Sequence, residues 1–316
     1  MSRPAWTERQ AHRVRTSQRT AVWTAALLLL GACGGGGDGA GGAGGDSATG
    51  PANASSTPVN LPAITVPPEL PGWQLVWNDE FDTPGLPDPS KWDHDTEYNQ
   101  RGWWNAELQY YSRNRSENAR VADGTLIITA RQERLTQMAD YGGQNYSSAR
   151  LMTRGRASWT YGRFEVRAKL PCTLGTWPAI WMLGTGGVWP NDGEIDIMEQ
   201  KGFSVQDKQQ VLGTVHTLAQ NGGAGPSGTR NLANACTDFN TYHLEWDASR
   251  ILIGVNGQQV LSYPKPLNAG YDRWPFDRPQ YLLLNVAVGG NLGGPVDNRN
   301  LPASMVVDWV RVYTKR

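Results

Sequence analysis

The stretch Gly193-Glu194-Ile195-Asp196-Ile197-Met198-Glu199 sets three carboxylates within six residues of otherwise apolar, strand-forming sequence. Side chains of a β-strand alternate between faces, so Glu194 and Asp196 share one face while Ile195 and Ile197 turn to the other. On an undistorted strand Glu199 falls on the apolar side. A β-bulge at Ile197-Met198 adds one residue, returns Glu199 to the acidic face and shortens the separation of the two glutamates. Chemistry gives that correction its point. Two carboxyl groups about 5 to 5.5 Å apart form the nucleophile and acid/base pair of a retaining glycosidase. Five undistorted steps of about 3.3 Å would leave the two backbones about 16 Å apart, too far for two glutamates to act together. The plainer reading of three acids on a strand is a solvated outer face. Against it stand Trp177, Trp181 and Trp189, indole rings that precede the acids and offer flat apolar surface with a polar N–H, as a sugar ring requires.

The elements that must carry these residues are strands. Phe164, Val166 and Ala168 alternate with Arg163, Glu165, Arg167 and Lys169, and Leu126, Ile128 and Ala130 alternate with Thr125, Ile127, Thr129 and Arg131. Asn256-Gly257 between Ile251-Leu252-Ile253-Gly254-Val255 and Gln258-Gln259-Val260-Leu261 predicts a two-residue hairpin. Long helical periodicity and internal repeats are absent. Many short strands joined by Gly, Pro and Asn turns imply an all-β sandwich or jelly roll.

Composition narrows the partners. The 316 residues hold 29 basic and 29 acidic side chains, so no net field favours nucleic acid, and a neutral polysaccharide fits better. Tryptophan outnumbers phenylalanine 14 to 5, which suits sugar stacking. Trp103, Trp177, Trp181 and Trp189 are expected near a groove, and Trp246 and Trp309 in packing. The four histidines, His12, His94, His216 and His243, are scattered, and no spacing resembles a zinc site.

The first seventy residues stand apart. Arg13, Arg15 and Arg19 lead into Ala25-Ala26-Leu27-Leu28-Leu29-Leu30 and Gly31-Ala32-Cys33, the layout of a secretory signal whose apolar run is too short to span a bilayer. Leu30-Gly31-Ala32-Cys33 resembles a bacterial lipobox, which implies lipidation of Cys33 after removal of residues 1–32. Ordinary cleavage, leaving Cys33 free, is the alternative. Residues 33–70 are rich in Gly, Ala, Ser and Pro and poor in apolar residues, a tether holding a catalytic domain of residues 71–316 away from the envelope. The expected location is therefore exported, either as a cell-envelope lipoprotein or secreted, with membrane contact only through the anchor. With Cys33 assigned to lipid, Cys172 and Cys236 are expected to form a disulfide, or else to remain two buried thiols.

Further segments complete a pattern: Trp104-Asn105-Ala106-Glu107-Leu108-Gln109-Tyr110-Tyr111, Ser147-Ser148-Ala149-Arg150-Leu151, Tyr161-Gly162-Arg163-Phe164-Glu165-Val166-Arg167, Gly213-Thr214-Val215-His216 and Asn285-Val286-Ala287-Val288-Gly289-Gly290-Asn291. With the Trp177–Trp181 and Glu194–Glu199 motifs, and over about Trp73 to Tyr313, the chain resembles glycoside hydrolase family 16, in its laminarinase branch. The resemblance implies a concanavalin-like β-jelly roll of two antiparallel sheets with a concave substrate cleft. It implies a laminarinase-like endo-β-1,3-glucanase with Glu194 as nucleophile, Glu199 as acid/base and Asp196 between them. It places His216 near the scissile sugar, and Asn105, Glu107, Arg150 and Asn291 on glucose hydroxyls. Leu292 departs from the pattern, where relatives often carry an aromatic platform. No catalytic cofactor is implied. A structural calcium is, held by Glu80, the Gly124 carbonyl and Asp308. The expected partner is β-1,3-glucan, acted on by a monomer. Mixed-linkage β-1,3-1,4-glucanase, β-glucan transglycosylase and non-catalytic glucan binding are the other readings that share this scaffold.

Overall fold

The computed structural model describes residues 68–316, so the signal segment, Cys33 and all but the end of the tether lie outside the described residues. Two sheets face one another, one of ten strands and one of seven. The alternation in the sequence sets their inner faces. Along Gly162–Lys169 every second residue, Phe164, Val166 and Ala168 among them, is buried, while the charged residues between them face outward. These side chains interleave with Leu126, Ile128, Val310 and Val312 of the same sheet and with Ile180, Met182, Ile195, Met198, Val215 and Leu284 of the other to form the main core. Asn256 and Gly257 adopt φ of 50° and 74°, joining Arg250–Val255 to Gln258–Pro264 by the expected hairpin. The architecture is the all-β jelly roll anticipated. One pair departs from antiparallel order, Gln109–Tyr111 running parallel to Tyr146–Ser148.

The seven-stranded sheet positions the acids. Its central acidic strand, Glu194–Glu199, lies between the tryptophan strand Thr176–Gly184 and the histidine strand Gln210–His216. Pairing with the tryptophan strand passes from Asp196 opposite Trp181 to Met198 opposite Ile180, leaving Ile197 without an opposite residue. Pairing with the histidine strand passes from Asp196 opposite Thr214 to Glu199 opposite Leu212, again one residue in excess. This is the expected bulge. Ile195, Ile197 and Met198 all enter the core, and Glu199 is released to the face of Asp196.

At two expected features the structure shows a different arrangement. Cys172 and Cys236 are free, the first exposed and the second half-buried. Burial, and then the neighbouring Cys172, pushes the Cys236 thiol up to about 12, so its nucleophilic thiolate is strongly disfavoured. Its Sγ instead lies 3.5 Å from the Lys208 carbonyl oxygen, as a thiol donor. The calcium set does not fit a cation either. Both carboxylate oxygens of Glu80 accept from Arg311, at 2.9 and 2.8 Å, and both residues are buried. Asp308 pairs with Arg167 on its own sheet, so a cation would have to displace guanidinium groups. Gly124 occupies the turn before Thr125–Gln132 with φ of 69°, a conformation that glycine adopts without strain.

The buried Glu80–Arg311 pair therefore takes the structural role expected of the ion. Glu80→Gln should lower unfolding free energy by about 3 to 5 kcal/mol, the cost typical of leaving one buried charge unpaired. EDTA should leave the melting temperature of the parent protein unchanged, and a fall of several degrees on chelation would restore the calcium site.

Candidate active site

Residues paired across a sheet present their side chains to the same face. Glu194 is opposite both His216 and Leu183, Asp196 opposite Trp181 and Thr214, and Glu199 opposite Ala179, so the bulged strand lays its three acids in one row along the open face. Asp196 is the deepest, 2% exposed, and Glu199 follows at 8%. Two indoles hold the ends of the row. Trp177 donates its Nε1 hydrogen to Glu199 Oε1 at 2.9 Å, and Trp189 donates to Glu194 Oε2 in a very short bond. His216 Nε2 lies 3.1 Å from Asp196 Oδ2, and the Trp189 and His216 rings are 6.2 Å apart.

Crowding the carboxylates raises all their pKa values. Burial, and then the charge of Asp196, pushes Glu194 up to about 8. Burial and the charge of Glu194 push Glu199 up to about 7. Asp196 is driven well above the ordinary range by burial and Glu199. Three neighbouring acids thus retain protons that isolated carboxyls would lose by pH 5. Asp196, the deepest of the three, is bonded to Glu194, a contact that raises the Glu194 pKa further and favours the ionised form of Asp196. An ionised carboxylate and a protonated one on the same face supply a nucleophile and a general acid.

Glu107 extends this electrostatic group, since its charge acts on Glu199. Its carboxylate accepts from Gln109 Nε2 at 2.8 Å and Tyr111 Oη at 3.4 Å, and burial raises its pKa. Arg150 is buried, 3.2 Å from Asp95 Oδ2, with its guanidinium 4.4 Å from the Trp181 ring centre and 5.1 Å from that of Trp103. Asn105 and Asn291 meet through the backbone, the Asn291 N–H donating to the Asn105 carbonyl at 2.8 Å, so the two loops that carry them form one rim. The structure thus brings the anticipated residues to one face, but it changes the part played by some indoles. Trp103 is only 6% exposed and donates to Asn99 Oδ1, packing behind Arg150 instead of offering a face to sugar. Trp177 is spent on Glu199, and Trp181 donates to Asn285 Oδ1 at 2.7 Å.

Sequence reasoning missed three contributors. Trp104, beside Trp103, is 47% exposed and leans on Tyr98 with ring centres 3.9 Å apart. Positive φ at Asn105 and Ala106, which no glycine or proline announces, turns that loop outward. Asn285 joins Trp181 to the Tyr111 hydroxyl, the latter accepting from its Nδ2 at 3.0 Å; its signal was an amide set between Leu284 and Val286 in the apolar part of the strand Gln280–Val288. Lys208, buried within a short polar segment, gave no signal at all.

Among the described residues, one group of three or more potential metal ligands converges, Glu194, Asp196 and His216, with ligand atoms within 4.8 Å of one another. These are members of the acid row itself.

Residues 106–311 match the model of glycosyl hydrolases family 16. A beta-glucanase of Rhodothermus marinus is 50% identical over 258 residues, 78% of this chain and 86% of the relative. A crystal structure of the laminarinase from Rhodothermus marinus superposes with a TM-score of 0.72 at 49% identity, covering 78% of this chain and all of the other. A mutant of SCLam, a non-specific endo-β-1,3(4)-glucanase of the same family, was crystallised with 1,3-β-D-cellotriosyl-glucose; it superposes with a TM-score of 0.75 at 49% identity, covering 78% of this chain and 96% of that one. With the acid row, its indole donors and the jelly roll that carries them, these likenesses place the chain in glycosyl hydrolases family 16, and it is a glycoside hydrolase.

Proposed function

We propose that this chain is an endo-β-1,3-glucanase that cleaves laminarin-type β-glucan by double displacement with retention of configuration. The observation that carries the reading is the bulge at Ile197, which sets Glu194, Asp196 and Glu199 on one face. The similarity to a beta-glucanase and a laminarinase supports the substrate class. In the first step the Glu194 carboxylate attacks the anomeric carbon. The glycosidic C–O bond breaks as Glu199 gives its proton to the leaving oxygen. In the second, Glu199 takes a proton from water, whose oxygen displaces Glu194 from the glycosyl ester. Asp196 steadies the row, and His216 of the neighbouring strand lies beside it. Trp104 and Trp189, the exposed indoles, are the surfaces free to meet sugar rings.

Mixed-linkage cleavage is the second reading, favoured by the likeness to SCLam, a non-specific endo-β-1,3(4)-glucanase. Transglycosylation uses the same residues and differs in the acceptor. A glucan-binding role without turnover would leave the three pKa-shifted acids without work. We further propose export as a lipoprotein anchored at Cys33, on the sequence of the first 33 residues alone.

Glu194→Gln and Glu199→Gln should each lower laminarin turnover by a factor of about 10³ or more while circular dichroism and melting remain native-like. Retained activity in either variant would overturn the assignment. Mixed-linkage glucan and laminarin assayed side by side distinguish the two substrate readings.

The pH profile follows from the raised acids. Turnover requires a proton on Glu199, so activity falls as pH rises through the Glu199 pKa, which burial and the charge of Glu194 push up to about 7. A midpoint near the ordinary glutamate value of 4.5 would contradict the buried, mutually repelling row.

A further inference from the structure

Lysine is almost never fully buried unless something holds it, because its ammonium gives up water at a cost of several kcal/mol. Lys208 is 2% exposed, and burial pulls it down to about 7. Its Nζ donates to the Thr176 carbonyl at 2.8 Å, the Thr176 Oγ1 at 3.0 Å and the Gln200 Oε1 at 3.3 Å. Gln200 returns the contact, its Nε2 donating to the Lys208 carbonyl at 2.9 Å. The knot thus joins the first residue of the tryptophan strand to the residue just past the acidic strand.

The immediate neighbours of these two anchors are Trp177 and Glu199, whose indole-to-carboxylate bond fixes the acid/base side chain. The two strands there are held directly by a long backbone bond, Gln200 N–H to the Pro178 carbonyl at 3.3 Å, and Pro178 itself has no N–H to donate in return. The ladder is therefore weak where the catalytic proton must be placed.

We infer that Lys208 is a positioning residue for the acid/base, fixing the Trp177–Glu199 contact through Thr176 and Gln200. This rests on Glu199 being the proton donor. Lys208 touches neither substrate nor a reacting atom, and it acts on proton delivery to the leaving oxygen, leaving the nucleophile end of the row, held by Trp189, untouched.

Leaving-group dependence tests the inference. Natural glucan needs its leaving oxygen protonated, whereas a 2,4-dinitrophenyl β-laminaribioside departs as a stable phenolate without help. In Lys208→Met, kcat/KM on laminarin should fall about 10- to 100-fold, part of the contribution typical of a general acid, while kcat/KM on the aryl substrate should stay within about threefold. Thr176→Val, a milder change that removes one of the three acceptors, should give the same asymmetry at smaller amplitude and decides the matter if Lys208→Met does not fold. Equal losses on both substrates, or none on either, would overturn the inference. Glu199→Gln assayed in parallel separates the two claims. If Glu199→Gln spares the aryl substrate and the Lys208 and Thr176 variants do not, the positioning role fails and the acid/base assignment stands. If Glu199→Gln loses both substrates alike, the acid/base assignment itself fails.

Discussion

A strand alternates its side chains, and Glu199 reaches the face of Glu194 and Asp196 only because one residue is added between them. That added residue is Ile197, which has no opposite on the tryptophan strand and still buries its side chain in the core. The sheet accepts the irregularity because Ile195, Ile197 and Met198 together fill space between the sheets that an undistorted strand would fill with fewer apolar groups. Without the bulge Glu199 would point into that core, where an ionised carboxylate has no partner. The catalytic spacing is thus written into backbone register, and the packing of three apolar side chains holds it there.

Around this constraint the protein arranges donors at the ends of the row and like charges in its middle. Indole N–H groups from Trp177 and Trp189 meet the two glutamates, so each side chain is aimed by a rigid ring carried on, or leading into, a central strand. Mutual repulsion and burial then lift the pKa values, which lets one row offer both an ionised and a protonated carboxyl near neutrality. Stability is handled elsewhere. Just past the first strand of the ten-stranded sheet, Glu80 closes a buried bidentate pair with Arg311.

Much of this was legible in the residues. Alternation at Phe164, Val166 and Ala168 gave the sandwich, and an out-of-phase Glu199 demanded a bulge. His216 and Asp196 were matched as residues, and cross-strand register brings them to 3.1 Å. What was not legible depends on neighbours remote in sequence. Whether an indole faces solvent or arginine cannot be read from Trp103-Trp104, because Trp103 is buried against Arg150, a residue remote in sequence, while Trp104 is exposed. Glu80 and Asp308 were matched only as calcium ligands, and their pairing with Arg311 and Arg167 depends on residues remote in sequence. Cys172 and Cys236 come together from segments far apart in sequence, as two thiols. Nothing in the sequence marked Lys208 as buried.

The central claim is that the bulge brings Glu194 and Glu199 into double-displacement geometry, and the configuration of the first product tests it most directly. Time-resolved proton NMR of a soluble form starting near Leu70, mixed with laminarin, should show the β-anomer of the new reducing end appearing before mutarotation produces the α-anomer. Initial release of the α-anomer would mean inversion, a wider carboxylate separation with water between the two acids, and an account of the bulge that is wrong.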